Sequence, residues 1–449
     1  MSRVLHKTCG EDGWKRSRYL IYAKLPEKDG YAVLDLYQGS FVVLTSVELY
    51  LLSIVEELDA GHPILEKFRK FGLIVNFDQT AIFNASGRFG CGHSSLITLT
   101  ICPTLGCNFD CPYCFEDHRA GKMSLETQGQ VVQLAQKMLR SFRAQQLRVT
   151  WYGGEPLLAP DVIESLSVRL MDLAEREGVK YSAGIVTNGY LLDAKNVRML
   201  ERCKVDRAQI TLDGLKETHD RTRHLAGGGG TFGRICENIR DNRMSFRIDV
   251  RHNVHEDNLN AVEPTRAFVK QLAQESGNDL IYYYTLVRDS EKLKKRSKTL
   301  STLQEKSEVM QLALELEAGR YRAKGGIFCD AGILSSVCID DTGRLYCCWE
   351  DVDKPEKSFA DVSAWNPDSP FTSADHPDML ASYVNTCCPD PVCQECLWLP
   401  MCCGGCPLRV MEGVQTCFPF KDDPGAFALA VYRALDEKEH RHSKPDEPS

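Results

Sequence analysis

Three cysteines, Cys107, Cys111 and Cys114, fall within the stretch Cys-Asn-Phe-Asp-Cys-Pro-Tyr-Cys-Phe. A [4Fe-4S] cube ordinarily takes four cysteines, so three thiols on one short loop suit a cube with three ligated irons and one left open. An open iron can bind and activate a small molecule as well as relay an electron. The competing chemistry is a zinc knuckle, which needs a fourth ligand such as His118 or Cys102.

Downstream, the strand-like run Leu147 to Tyr152 leads into Gly153-Gly154-Glu155-Pro156. Two glycines let backbone approach a ligand closely, and Glu155 offers a carboxylate to an ammonium group. The same four residues also read as a β-turn. Thr187-Asn188-Gly189 and Asp213-Gly214 end two further predicted strands, where both sequences are also ordinary turn formers. The segment His219-Asp220-Arg221-Thr222-Arg223 precedes Gly227 to Gly230, Thr231 and Phe232, which read as a glycine loop capping a helix at Thr231.

Cys107, Cys111, Cys114 and Phe115 resemble, position for position, the signature of the radical S-adenosylmethionine (SAM) enzymes. The resemblance implies that the amino and carboxylate groups of SAM chelate the open iron. One electron then breaks a C–S bond to give a 5′-deoxyadenosyl radical. It further implies that Phe115, Gly153, Gly154, Glu155, Thr187, Asn188 and Asp213 contact SAM, with Glu155 facing its ammonium group. The segment from His219 to Phe232 is similar to that after the fourth strand in the peptide- and protein-modifying branch.

The elements that must position these residues follow from periodicity. Strand-like runs at Leu96 to Cys102, Leu147 to Tyr152, Ala183 to Thr187, Ala208 to Leu212, Phe246 to Val254 and Leu280 to Leu286 alternate with helical patterns. The helices are expected at Ser124 to Phe142, Asp161 to Glu177, Ala194 to Cys203, Thr231 to Asn242 and Ala261 to Glu275. That alternation predicts an α/β fold of parallel βα units. Six units over residues 91–310 fit the family's partial (β/α)6 TIM-like barrel, with the chemistry on the loops after the strands.

The C-terminal region, residues 311–436, has another character, because residues 329–417 hold 12 of the chain's 20 cysteines. Cys329 is followed by Gly343 and Cys348, then by Cys393, Cys396, Cys402, Cys406 and Cys417. This pattern resembles the SPASM domain, which carries two auxiliary [4Fe-4S] clusters. The resemblance assigns Cys393, Cys396, Cys402 and Cys417 to an outer cluster and Cys329, Cys348 and Cys406 to an inner one. Cys338 is the nearest candidate for its fourth ligand, while Cys347, Cys387, Cys388 and Cys403 remain unassigned. Zinc ribbons and a disulfide framework are the competing readings. Disulfides need an oxidising compartment, and Met1 to Lys7 lacks the apolar core of a secretory signal.

Residues 1–90 lack metal-ligand spacing. Runs at Tyr19 to Leu25, Tyr31 to Tyr37 and Phe41 to Leu44 read as strands. Thr45-Ser46-Val47-Glu48 is a capping box opening a helix with Val47, Leu51, Ile54, Val55 and Leu58 on one side. A helix from Pro63 to Phe71 and a strand from Leu73 to Phe77 should follow. The region resembles the winged-helix-like, leader-recognising domain of peptide-maturing radical enzymes, and reads equally as a structural extension. Residues 437–449 are charged and expected to be disordered.

With 449 residues and a net charge of -8, the chain suits a cytoplasmic enzyme of two or three domains without a nucleic-acid surface. No apolar run reaches membrane-spanning length. The resemblance implies three [4Fe-4S] clusters, SAM, a precursor peptide with a leader, and an external one-electron donor such as flavodoxin or ferredoxin. The expected activity is peptide maturation to a thioether, C–C or C–O cross-link. Sulfatase maturation to formylglycine is the runner-up; there an Asp follows the cysteine equivalent to Cys348, whereas Trp349 and then Glu350 follow here. An epimerase or splicease, or a non-catalytic zinc or iron-sulfur scaffold, are the remaining alternatives.

Overall fold

Near the N-terminus, Lys15–Arg16 (β1), Leu20–Lys24 (β2), Tyr31–Asp35 (β3) and Ser40–Leu44 (β4) precede two helices, Ser46–Ser53 (α1) and Ile64–Lys70 (α2). Strands β2, β3 and β4 form an antiparallel sheet, with Tyr22 opposite Val33 and Val33 opposite Val42. The expected capping box opens α1: Glu48 donates its backbone amide to Thr45 Oγ1 at 3.2 Å, and its carboxylate accepts from the Thr45 amide at 3.0 Å. Gly72, at φ +67°, turns the chain after α2. Ile74–Val75 (β5) pairs with β1, and Gln79–Gly92 (α3) follows.

Two expectations here need correction. Val47 is 68% exposed and Leu52 is buried, so the apolar face of α1 is rotated from the one anticipated. The helix stops at Ser53 and a 3-10 turn carries Val55 into the core, which breaks the assumed continuous period. The expected strand from Leu73 to Phe77 shrinks to the two residues of β5 because β1, its partner, is equally short.

The central region consists of six parallel strands: Leu96–Ile101 (β6), Gln146–Trp151 (β7), Lys180–Thr187 (β8), Val205–Thr211 (β9), Arg247–Val254 (β10) and Leu280–Leu286 (β11). Between them run Leu125–Ser141 (α4), Pro160–Glu177 (α5), Ala194–Arg202 (α6), Lys216–Thr222 (α7), Phe232–Asp241 (α8) and Val262–Ser276 (α9). Local chemistry sets these boundaries. Ser124 and Asp193 accept backbone amides at the starts of α4 and α6, and Gly178 and Gly277, both at positive φ, end α5 and α9. Only α7 among these elements was not anticipated.

Each strand from β6 to β11 lies beside its predecessor in sequence. Right-handed crossovers in an order that never reverses place every helix on the same face. This winding is consistent with a partial (β/α)6 barrel. Leu147, Val149 and Trp151 of β7 and Ile248 and Val250 of β10 are fully buried, while alternate residues such as Arg148 and Arg251 occupy the helix-free face.

Ser336–Ile339 (β12) extends the sheet by pairing in parallel with β6, and Arg344–Tyr346 (β13) and Ala360–Asp361 (β14) continue it. The expected C-terminal domain 311–436 is therefore divided. Residues 330–384 group with the six-strand sheet, whereas the later segments group with residues 13–89 and Cys329 in a second compact unit. In that second unit the C-terminal helix Pro424–His442 lies against β2 and β3, with Tyr432 beside Phe41 at 6.2 Å between ring centroids. Residues 437–442 are thus helical, where a disordered tail was expected. The structure describes residues 13–92, 95–287, 329–386, 390–414, 417–418 and 420–442. Cys387, Cys388 and residues 443–449 lie outside them.

Candidate functional site

The loop after β6 carries Cys107, Cys111 and Cys114, with Cys111 buried and the other two half-buried. Backbone bonds hold it in shape. The Cys114 amide donates to the Cys111 carbonyl at 3.0 Å, and the Phe109 amide to Cys107 Sγ at 3.4 Å. The loop is also tied to the segment after α7, since Asp110 donates to the His224 carbonyl at 3.1 Å and Ala226 to that of Asn108 at 2.9 Å. Burial pushes the Cys107 and Cys114 thiols up to about 12 and raises that of Cys111. Phe115 follows the last cysteine, half-buried.

Gly153 and Gly154 lie against this loop. A Cβ on Gly153, which sits at φ +104°, would collide with the Thr104 carbonyl. One on Gly154 would stand 2.6 Å from the Leu105 carbonyl oxygen. The glycines therefore permit approach of two backbone segments, a role beyond the close approach to a ligand read from sequence. The Glu155 amide completes the contact by donating to the Gly106 carbonyl at 2.8 Å.

Glu155 is fully buried. Its carboxylate accepts from the Leu157 amide at 3.0 Å, Thr187 Oγ1 at 2.8 Å and the Asn188 amide at 2.7 Å. Burial raises its pKa, and these three donors pull against that shift. Asn188 in turn donates from Nδ2 to Asn108 Oδ1 at 2.7 Å, reaching the cysteine loop. The loops after β6, β7 and β8 are thus joined through one carboxylate and one amide.

Asp213, also fully buried, accepts from the Tyr113 hydroxyl and, at 3.0 Å, from the Asn253 amide. Arg223 donates to the Tyr113 hydroxyl at 2.8 Å. Sequence reasoning passed over Asn108, Tyr113, Arg223 and Asn253. Tyr113 stood inside the cysteine motif and Arg223 inside the segment already singled out, but nothing in their spacing showed that they meet. The Asp220 carboxylate, accepting from the Thr231 and Phe232 amides at 2.7 and 2.9 Å, caps α8 in place of the expected Thr231 side chain.

The C-terminal cysteines separate into groups. Cys393, Cys396, Cys402 and Cys417 line one cavity of about 200 Å³, several times the roughly 30 Å³ share of a single water. Asp390 accepts the Cys393 amide at 2.8 Å, and Trp398, stacked on Phe418 at 4.5 Å, forms part of the wall. Cys338 is buried with Cys102, Leu105, Tyr346 and Val352 in the sheet-bearing unit, which also contains Cys348. Cys329 and Cys406 belong to the other unit.

Cys107, Cys111, Cys114, Cys393, Cys396 and Cys402 are free thiols. Among the described residues no three His, Cys, Asp or Glu side chains converge on one ion. A four-iron cube takes its thiolates at several corners, so its cysteines need not converge on one point. The soft thiols of Cys107, Cys111 and Cys114, half-open beside a glycine-lined backbone, fit an iron-sulfur cluster. Among the described residues no helix is long and apolar enough to cross a membrane.

A parallel sheet wound in sequence order, with its reactive loop after the first strand, defines an α/β-barrel class whose chemistry lies at the strand C-termini. Residues 101–269 match the model of the radical SAM superfamily. The PqqA peptide cyclase of Gluconobacter oxydans is 26% identical over 233 residues, 50% of this chain and 57% of that protein. The cysteine-type anaerobic sulfatase-maturating enzyme of Clostridium perfringens is 28% identical over 153 residues, 32% and 40% of the two chains. The chain spans about a third to just over half of the length of the first curated relatives it matches, 36% to 57%. In fold it is similar to native anSMEcpe with bound AdoMet and Cp18Cys peptide, at TM-score 0.55 and 19% identity over 77% of this chain and 99% of that one. Streptococcus suis SuiB bound to S-adenosylmethionine gives TM-score 0.50 and 14% identity over 89% and 96%.

Proposed function

We propose that the protein is a radical SAM peptide maturase, in which Cys107, Cys111 and Cys114 hold a [4Fe-4S] cluster that binds SAM. The observation that carries this reading is the packing of the Gly153-Gly154 backbone onto the cysteine loop, with Glu155 linking that loop to Thr187 and Asn188. When bound, the cluster and SAM supply a 5′-deoxyadenosyl radical able to remove hydrogen from an unactivated carbon. Gly153, Gly154, Glu155, Thr187, Asn188, Asp213 and Phe115 form the SAM pocket, Glu155 and Asp213 by holding the loops in register. The helices packed behind the sheet exclude water from that side.

Cys393, Cys396, Cys402 and Cys417 hold an outer auxiliary cluster; their shared cavity supports this. Cys329, Cys348 and Cys406, with Cys338 as fourth candidate, hold an inner one. Such clusters would supply an acceptor for the electron of the substrate radical, as thioether, C–C or C–O bond formation requires. An external one-electron donor in the cytoplasm, such as flavodoxin or ferredoxin, would supply the electron for the first cluster. The three-stranded sheet β2-β3-β4, whose outer strands each pair with β3 alone among the described residues, supports a winged-helix-like module that binds a leader peptide by strand addition.

Formylglycine formation is the second reading, favoured by the fold likeness to anSMEcpe. Trp349 follows Cys348, and the buried carboxylate near it is Asp351, hydrogen-bonded to Tyr383. Anaerobic reconstitution tests the primary reading. About twelve irons with matching sulfide are expected for three cubes, together with 5′-deoxyadenosine on addition of SAM and a reductant. Zinc without sulfide would overturn it. Mass change in an adjacent-gene peptide, against a sulfatase-derived peptide, separates the two substrate classes.

A further inference from the structure

The helix-free face of the six-strand sheet carries an excess of arginine. On β10, Arg247, Asp249, Arg251 and Asn253 share this face, because the alternate residues Ile248, Val250 and Val254 are fully buried on the helix side. The same alternation on β9 and β7 brings Arg207 and Arg148 onto it. Cross-strand bonds agree with this assignment: the Tyr283 hydroxyl of β11 donates to Gln209 Oε1 of β9 at 2.6 Å, spanning β10. Asn253 Nδ2 lies 3.5 Å from the Tyr113 hydroxyl in the cysteine loop.

Three of the four guanidinium groups on this face meet two carboxylates. Asp249 is shared by Arg207 and Arg247, and Asp330 acts on Arg148. Arg251 is different. Its Nε donates to the neutral Asn253 Oδ1 at 2.8 Å, and among the described residues no carboxylate lies within ion-pairing distance of it. Nor is it sealed away, being half-buried. Tyr152, which feels the charges of both Glu116 and Arg251, stands beside Trp349 at 5.2 Å between ring centroids. A half-buried arginine with no ion-pair partner among the described residues attracts anions to such a face.

We propose that this face binds an acidic segment of the peptide substrate, with the Arg251 guanidinium gripping an Asp or Glu carboxylate close to the carbon that loses hydrogen. The inference rests on the peptide-maturase reading and adds the charge of the substrate to it. Arg251 sits one pleat repeat from Asn253, which touches the cysteine loop. Two strand residues span about 7 Å, the reach of about two residues of extended peptide. The recognised acid therefore falls within about two or three residues of the modified position. SAM also bears a carboxylate, and the test has to separate that source from the peptide.

The experiment uses the reconstituted holoenzyme with SAM and two fluorescein-labelled Gly-Ser probe peptides, one with a central Glu-Ala-Glu and the other with Gln-Ala-Gln. Anisotropy should show the acidic probe binding about tenfold tighter or more, the size expected for a charge-assisted bond to a guanidinium. Arg251→Gln should remove most of that preference, and Arg251→Lys should keep part of it. The midpoint of the iron-sulfur spectral change on adding SAM should be the same in Arg251→Gln as in the wild type. Equal binding of the two probes, or a preference that survives Arg251→Gln, overturns the proposal. A SAM midpoint that shifts in Arg251→Gln while the probe preference persists overturns it too, and assigns the arginine to the cofactor. Absence of an iron-sulfur spectrum or of 5′-deoxyadenosine in the wild-type protein is a separate failure, that of the radical reading, and is seen before any probe is added.

Discussion

Two cysteine-bearing regions of this molecule are organised at different range. Cys107, Cys111 and Cys114 lie within eight residues on one loop, held by bonds to its own backbone and to neighbouring strand ends. The cysteines from 329 onward come from segments far apart in sequence and are divided between two compact units. A local site inherits its geometry from the loop, so a change in the loop should act sharply and alone. A dispersed site depends on several elements at once, and damage there should spread.

The largest expected effect is that of Cys107→Ala, which should abolish 5′-deoxyadenosine formation and lower the iron content by about four atoms, one cube. Cys402→Ala should instead remove iron from the C-terminal region and leave the spectral response to SAM in place. Loss of the SAM response in Cys402→Ala would break the separation between the two regions. Next comes Gly154→Ala. Its new methyl group would press on the backbone carbonyls of Leu105 and Gly106, and overpacking of this kind costs about 1–3 kcal/mol. A drop in melting temperature with an at least tenfold loss of SAM cleavage is the expected outcome, and wild-type behaviour would show that the loops can part without harm.

Tyr113→Phe sharpens the comparison by removing the hydroxyl through which Asp213 and Arg223 meet the cysteine loop. Leaving buried polar partners unsatisfied costs about 1–3 kcal/mol. SAM affinity should fall while the C-terminal iron stays. Unchanged affinity would remove Asp213 and Tyr113 from the pocket.

The smallest effect is one of pH, and its sign differs between the two compact units. Asp35, fully buried in the β2-β3-β4 sheet, has its pKa raised by burial to about 6. The folded state holds this proton where the unfolded chain, near 3.9, has lost it, so stability is lost as pH rises through about 6. His219, buried behind Asp213, is lowered by burial to about 3. The unfolded histidine takes up a proton near 6.5 that the folded one refuses, so stability is lost as pH falls from about 6.5 towards 3. Each slope is about 1.4 kcal/mol per pH unit within its window. Native-state hydrogen exchange between pH 6 and 4.5, corrected for intrinsic rates, should show the Asp35 sheet gaining protection as the His219 region loses it. Asp35→Asn and His219→Gln should each flatten their own slope, and parallel slopes in both units would contradict the assignment.

The legible part of the molecule is the part set by neighbours in sequence. Alternation from Leu147 to Trp151, the cap at Ser124 and the stop at Gly178 need only a few adjacent residues, and the six parallel strands occur within a few residues of where they were expected. The cysteine loop and Gly153-Gly154 are of the same kind. The hidden part depends on partners far away. Tyr113 gave no sign of meeting Asp213, one hundred residues on. The short strand Ser336–Ile339 carries too few residues to announce that it pairs with β6. For α1 a regular period was assumed, and the core it packs against, including Leu65 and Phe68 of α2, selected a different face.

Residue type and local spacing by themselves determined the thiol triad on one loop, the βα alternation and the strand-end loops, because thiol spacing, capping and two- or four-residue periods are properties of short segments. Tertiary structure alone decided that the glycines meet the cysteine loop, that Glu155 is spent on joining three loops, and that residues 330–384 part from the rest of the cysteine-rich third. Those outcomes depend on which buried surfaces find each other, and burial is a property of the whole packed chain.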